Sequence, residues 1–139
     1  KMGQAAIFET RGNQDCHVIL RGGKQPNYSA ADVDATCAVL KAAGLREQVM
    51  IDVSHANSSK QHQRQITVAA EVAQRIAAGD ARITGLMIES HLQEGRQDIV
   101  PGQPLAQGVS VTDACISMAQ TVPVLEGLAA AVRARRQKA

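Results

Sequence analysis

Three positions far apart in the sequence carry side chains that bind divalent transition metals: His55, Glu89 and Asp113. One imidazole and two carboxylates suit manganese, iron or zinc better than calcium, which takes an all-oxygen shell. Asp52 stands three residues before His55, and Arg21 precedes Gly22-Gly23. A guanidinium fork beside open backbone N–H groups suits a phosphate or a carboxylate. Each residue also has a plainer role. A histidine near a strand end is more often a hydrogen-bonded structural group. Glu89 could pair with an arginine, Arg21 could form a structural ion pair, and Asp113 could cap a helix. Their recurrence at successive element ends turns the balance towards a metal-assisted enzyme acting on an anionic substrate.

The elements that must position them can be read from the apolar pattern. Val49, Met50, Ile51 and Val53 form a short buried strand, which Asp52 interrupts and His55 follows. Buried charge at a strand exit is costly unless it is paired or binds something. Cys16–Leu20 and Ile83–Ile88 are two further strands, ending at Arg21 and Glu89. Ala5–Glu9 is a short apolar run separated from Cys16 by Gly12-Asn13, so the spacing predicts an N-terminal β-hairpin. Ser29 with Asp32 reads as a capping box for a helix that buries Val33, Cys37, Val39 and Leu40 and stops at Gly44. A second helix, capped by Ser58 or Ser59, carries Ile66, Ala69, Ala70, Ala73, Ile76 and Ala77 on one stripe and stops at Gly79. After a Gly- and Pro-rich loop, Thr112 caps a short helix from Asp113. A last helix starts near Pro123 and buries Leu125, Leu128, Ala129 and Val132.

Strand alternating with helix means parallel strands and right-handed crossovers, an α/β chain built as a run of β/α units that is either part of a barrel or a small open sheet. Strand starts at 16, 49 and 83 are evenly spaced, but the β-rich runs and missing signature residues exclude TPR or ankyrin repeats. In a barrel of such units the strand ends converge on one face, where Arg21, Asp52, His55 and Glu89 would share a pocket and Asp113 could reach it.

Composition sets the outer bounds. The chain has 139 residues and a formal net charge of +2, which favours no polyanionic partner. Arg133, Arg135, Arg136 and Lys138 read as a solvated helix end complementing the dipole, since no aromatic residues are interleaved for stacking on nucleic acid. No segment is apolar enough to span a membrane, and no signal peptide is recognised. Cys16, Cys37 and Cys115 form no CxxC pair; two of them sit in apolar surroundings, and they are read as reduced core cysteines of a cytoplasmic protein. His17, His62 and His91 are read as structural or surface residues, His91 with the option of supporting a ligand. The opening Lys1-Met2-Gly3 does not look like a natural start, so a fragment of a longer protein is expected.

The motifs Leu20-Arg21-Gly22-Gly23-Lys24 with Pro26-Asn27-Tyr28, Ile51-Asp52 with Ser54-His55-Ala56-Asn57-Ser58-Ser59-Lys60, Glu89-Ser90-His91-Leu92 with Glu94-Gly95, and Thr112-Asp113-Ala114-Cys115-Ile116 resemble one family. It is the class I 3-deoxy-D-arabino-heptulosonate-7-phosphate (DAHP) synthases, which open the shikimate pathway to aromatic amino acids. The resemblance runs over essentially the whole chain, in order. It implies a (β/α)8 TIM barrel of which residues 1–139 are the C-terminal part. It implies the condensation of phosphoenolpyruvate with erythrose 4-phosphate, releasing phosphate, with a divalent metal as Lewis acid: manganese first, with iron, zinc or cobalt as alternatives. His55, Glu89 and Asp113 match the family's metal ligands. Arg21 matches an arginine that binds phosphoenolpyruvate, and Asp52 is assigned to the sugar substrate or the metal's outer shell. Members of the family are often inhibited by an aromatic amino acid, and the opening hairpin with Phe8 resembles a segment near that site.

The departures from the family pattern matter equally. Its remaining metal ligand is an early cysteine, which none of Cys16, Cys37 or Cys115 matches. Its early basic loop and a further lysine near phosphoenolpyruvate are also missing. The resemblance therefore implies a fragment inactive alone, self-associating or dependent on the missing N-terminal part, from an enzyme that forms dimers or tetramers. Two alternatives stand beside it: the related 3-deoxy-D-manno-octulosonate-8-phosphate synthases, and a non-catalytic structural fragment.

Overall fold

The computed structural model describes residue 3, residues 5–13 and residues 15–138. Strands β1 (Val18–Leu20), β2 (Val49–Asp52) and β3 (Ile83–Met87) form a parallel sheet in the order β1-β2-β3. Helices α1 (Ala30–Ala42) and α2 (Arg64–Ala78) are the crossovers between them. Strands β4 (Ser90–His91) and β5 (Ile116–Ser117) make a small separate parallel pair, and α3 (Met118–Arg136) closes the chain. The alternating α/β order with parallel strands is as the sequence predicts.

The core is aliphatic. Val49, Ile51 and Val53 are fully buried, with Val33 and Cys37 of α1 and Val68, Val72 and Ile76 of α2 around them. Helix α1 follows its capping signals closely and buries Val33, Cys37 and Leu40, but Val39, expected in the core, is exposed. The Ser29 hydroxyl accepts from the Asp32 N–H at 3.2 Å, and the Asp32 carboxylate accepts from the Ser29 N–H at 3.0 Å. At the other end Gly44 takes φ +69°, and the Leu45 N–H donates to the Leu40 carbonyl, which closes the helix with a Schellman turn.

Several expectations are corrected. The N-terminal hairpin does not form: residues 5–13 contain no strand, and Ile7 and Phe8 are largely exposed. A two-stranded hairpin has little stability without a surface to pack on, and the three residues of β1 pair in parallel with β2 instead. Neither Ser58 nor Ser59 caps α2. His55, Ser59 and Lys60 all take positive φ, which breaks any helix there, and α2 starts after Gln63 without a side-chain cap. Its buried face is Gln65, Val68, Ala69, Val72 and Ile76, a stripe rotated from the predicted one. Ile66 and Ala73 instead line the groove against α3, while Ala70 is exposed at its edge.

Thr112 caps no helix, and Asp113 lies in an irregular bend ahead of β5. Helix α3 begins at the Ser117 cap, where the Ser117 hydroxyl accepts from the Gln120 N–H at 3.2 Å. Pro123 therefore sits inside the helix, not at its start, and leaves the Ala119 carbonyl without the usual rung. Leu128 and Val132 pack on the core as expected, joined by Thr121, Val124 and Ala131. Leu125 and Ala129 fall on the exposed shoulder. No helix among the described residues is long and apolar enough to cross a membrane.

An ionic knot fastens the end of the sheet where the strands begin. Asp80, just after α2, accepts from Arg75 at 3.2 Å and from Arg82 at 3.0 Å. Arg82 also reaches Asp34 of α1 at 2.7 Å. Arg135 of α3 donates to the Asp80 and Ile83 carbonyls at 3.2 and 3.4 Å, so this part of the basic tail is structural. Burial alone pushes the Asp80 carboxyl up, but the hydrogen bonds from Arg82 and Arg75 outweigh it and hold it below its ordinary 3.8. A depressed carboxylate stabilises the fold above its unfolded value and loses that contribution as pH falls through its folded value. Asp80→Asn is expected to cost about 1–3 kcal/mol near neutral pH. Urea unfolding should show this gap shrinking as pH drops below 3.8; a gap independent of pH would contradict the assignment.

Candidate metal centre

The strand ends opposite the knot carry the polar residues. Asp52, the last residue of β2, is buried with 1% of its side chain exposed. Its Oδ1 accepts from the Ser54 N–H at 2.9 Å. Its Oδ2 stands 2.7 Å from His55 Nδ1 and 3.8 Å from Arg21 Nε. The histidine contact lies off the ring N–H direction, so neither Asp52 Oδ2 nor His55 Nδ1 has a hydrogen-bond partner among the described residues. The contact is electrostatic: a carboxylate oxygen 2.7 Å from Nδ1 favours a proton on that nitrogen and a free lone pair on Nε2. His55 holds this pose with φ +48°, an uncommon backbone region for a residue other than glycine.

His55 Nε2 points at Glu89, 3.4 Å from Oε1. The other Glu89 oxygen accepts from the Ser54 hydroxyl at 2.6 Å, which fixes the carboxylate plane. One donor atom each from His55, Glu89 and Asp113 lies within 4.8 Å of the others. Two N/O donors on one ion, each about 2.0–2.2 Å from it, stand at most about 4.4 Å apart, so sub-ångström side-chain movement closes the set. The donor chemistry and spacing fit a divalent transition metal. Asp113 is exposed and caps nothing, so its carboxylate is available.

Arg21 leaves β1 with 63% of its side chain in solvent, anchored to Asp52 on one side. Its backbone neighbours are fixed more firmly. The buried Asn57 amide donates to the Leu20 carbonyl at 3.0 Å and to the Asp52 carbonyl at 2.7 Å, and its oxygen accepts from the Asn27 N–H at 2.8 Å. The Asn27 oxygen in turn accepts from the Gly22 N–H at 2.6 Å. Gly22 has φ +78°, and a Cβ there would come within 2.7 Å of the Ala56 Cβ, so the two loops meet where only glycine fits. Arg21, Asp52, His55, Glu89 and Asp113 thus gather at one end of the sheet, as their spacing suggests.

The comparisons decide the family. The family model described as DAHP synthetase I matches residues 1–126. The chain belongs to that family. It is 57% identical over 136 residues to the Phe-sensitive phospho-2-dehydro-3-deoxyheptonate aldolase of Escherichia coli K12, covering 98% of this chain and 39% of that one. It is 55% identical to the tyrosine-inhibited aldolase of that name from Schizosaccharomyces pombe, covering 99% of this chain and 38% of the relative. The solved phospho-2-dehydro-3-deoxyheptonate aldolase of Francisella tularensis SCHU S4 superposes with a TM-score of 0.89 at 50% identity, covering 94% of this chain and 38% of that one. The chain therefore spans about two fifths of the length of these relatives.

Other residues around the site were not predicted as functional. Ser54, Asn57 and Gln65 are buried polar groups in apolar surroundings. The detectable signal was polarity where the pattern calls for an apolar side chain, most plainly at Gln65. Among the remaining histidines, His62 meets Glu94 at 2.8 Å and His91 contacts the Gly108 carbonyl, while His17 is exposed. Hydrogen bonds from Gln63 and His62, then Gln120, hold the Glu94 carboxyl below its ordinary range. Burial pushes the free thiols of Cys37 and Cys115 up, so both stay neutral, and Cys16 is exposed. Because Asn57 serves three backbone groups, Asn57→Ala is expected to destabilise the chain by about 1–3 kcal/mol for each group it orphans. Urea unfolding that places Asn57→Ala within 0.5 kcal/mol or so of the wild type, the usual range for surface changes, would refute this role.

Proposed function

We propose that this chain is the C-terminal part of the barrel of a DAHP synthase and holds its metal and part of its phosphoenolpyruvate site. The carrying observation is the convergence of His55, Glu89 and Asp113 from three separate segments, with Arg21 joined to the same cluster through Asp52. The names of the relatives support the same enzyme class.

The reaction joins C3 of phosphoenolpyruvate to the aldehyde carbon of erythrose 4-phosphate. Water adds at C2, and the C2–O bond to phosphate breaks as the hemiketal collapses. A bound divalent cation, manganese before iron, zinc or cobalt, supplies Lewis-acid polarisation of the aldehyde oxygen. The residues of this chain have the orienting tasks. His55 Nε2 and the Glu89 and Asp113 carboxylates would hold the ion. Asp52 keeps the His55 proton on Nδ1 and, through the same carboxylate, draws Arg21 towards the centre. Arg21 aligns the anionic substrate and offsets its charge. Asp52 is the support of the ligand set in this reading, and its buried position argues against direct contact with the sugar.

The family's cysteine ligand and basic loop lie outside these residues, so the 139-residue chain has a partial shell. Manganese titration followed by EPR of the free ion is expected to give weak binding at one site. His55→Ala and Glu89→Gln should each weaken it by roughly tenfold or more. Affinity unchanged in either variant would remove that residue from the site. With both substrates and manganese the purified chain should release no phosphate, and turnover by the chain alone would overturn its reading as a partial catalytic unit.

A further inference from the structure

Glu89 stands where the main sheet has ended. The last rung between β2 and β3 is the Val53 N–H donating to the Met87 carbonyl at 3.0 Å, so two residues later no strand of the main sheet partners the backbone. Gln65 takes that place. Its side-chain oxygen accepts from the Glu89 N–H at 2.8 Å, and its Nε2 donates to the Glu89 carbonyl at 3.1 Å. A buried side-chain amide thus pairs with one residue as a neighbouring strand would. The Glu89 carbonyl also accepts from the Ile116 N–H at 3.1 Å, which opens the β4–β5 pair and leads back in three residues to Asp113.

We propose that Gln65 is a positioning residue for the Glu89 carboxylate of the metal centre. It fixes the Glu89 backbone from both sides, at the point where Ile116 ties the same carbonyl to β5. The inference rests on the reading of Glu89 as a metal ligand. The position itself supports the role. Gln65 lies on the buried face of α2 with Val68, Ala69, Val72 and Ile76, where an apolar residue would pack without the cost of burying an amide. Both polar atoms are spent on one residue, and that residue carries the carboxylate 3.4 Å from His55.

The test compares Gln65→Met, which keeps the length and removes both hydrogen bonds, with Val72→Ala, a core truncation on the same helix face. Two readouts are taken on the 139-residue chain: hydrogen exchange at the Glu89 amide without metal, and manganese affinity. Gln65→Met is expected to speed Glu89 exchange selectively and to weaken manganese binding roughly ten- to a hundredfold, the range for partners that orient a ligand. Val72→Ala should lower global stability without either selective effect. Gln65→Glu keeps an acceptor for the Glu89 N–H and should retain slow exchange there, which covers the case in which Gln65→Met does not fold. Unchanged Glu89 exchange and affinity in Gln65→Met overturns the proposal. So does an equal loss in Val72→Ala, and so does fast exchange in Gln65→Glu. If wild type and Glu89→Gln bind manganese alike, the metal reading fails by itself, and the exchange data alone then decide whether Gln65 positions Glu89.

Discussion

A carboxylate sealed at the end of a parallel strand organises this molecule. Asp52 has 1% of its side chain exposed, and an isolated buried charge costs more than a small domain can supply. Its Oδ1 accepts from the Ser54 N–H, while Oδ2 has no hydrogen-bond partner among the described residues and lies 2.7 Å from His55 Nδ1 and 3.8 Å from Arg21 Nε, so its charge is met electrostatically. Meeting that need bends the chain. His55 enters a left-handed conformation, the turn from Ser54 to Lys60 takes the place of a first helical turn, and α2 is delayed to Arg64. The same contacts aim His55 Nε2 at Glu89. The site geometry is thus a consequence of neutralising one buried acid.

The two ends of the sheet divide the work. At the strand starts, Asp34, Arg75, Asp80, Arg82 and Arg135 join all three helices to β3 in a saturated network. The two carboxylates there face guanidinium groups and Arg135 is taken up by backbone carbonyls, which favours rigidity and leaves no donor set for a ligand. At the strand exits the charges are mostly acidic, and the acids converge on one imidazole. Like charges gathered this way repel unless a cation joins them. The knot makes that concentration tolerable, because the elements bearing it are pinned at their far ends.

The sequence disclosed local devices better than long-range ones. The Ser29 capping box and the Gly44 stop are written in adjacent residues, and both appear as read. The three parallel strands follow from short apolar runs that only burial explains. The hairpin failed because a short apolar run beside a turn signal shows that a strand is possible and says nothing of its partner. The Thr112 cap and the Pro123 start failed for a related reason. Ser117 with Gln120 is a reciprocal cap, stronger than either, and Pro123 is tolerated within α3 at the cost of one rung. The clustering of Arg21, Asp52, His55 and Glu89 could be anticipated because charge at a buried strand exit is conspicuous, whereas Asp113 follows a loop and stood out only as a carboxylate able to reach the same place. Gln65, Asn57 and Ser54 were not, since their partners are backbone groups or side chains distant in sequence.

That distinction explains how a stretch matching about two fifths of its relatives' length can keep a recognisable centre. His55, Glu89 and Asp113 are supported by Asp52, Ser54, Gln65 and Ile116, and all of these lie within the same 139 residues. The geometry of the three donors is therefore a local property of two β/α units and the β4–β5 pair. Enclosure of that cluster is not local, because β1 and β3 are the outer strands of an open sheet. Preorganised donor side chains and an enclosed cluster are thus separable, and in this chain the first is present without needing the second.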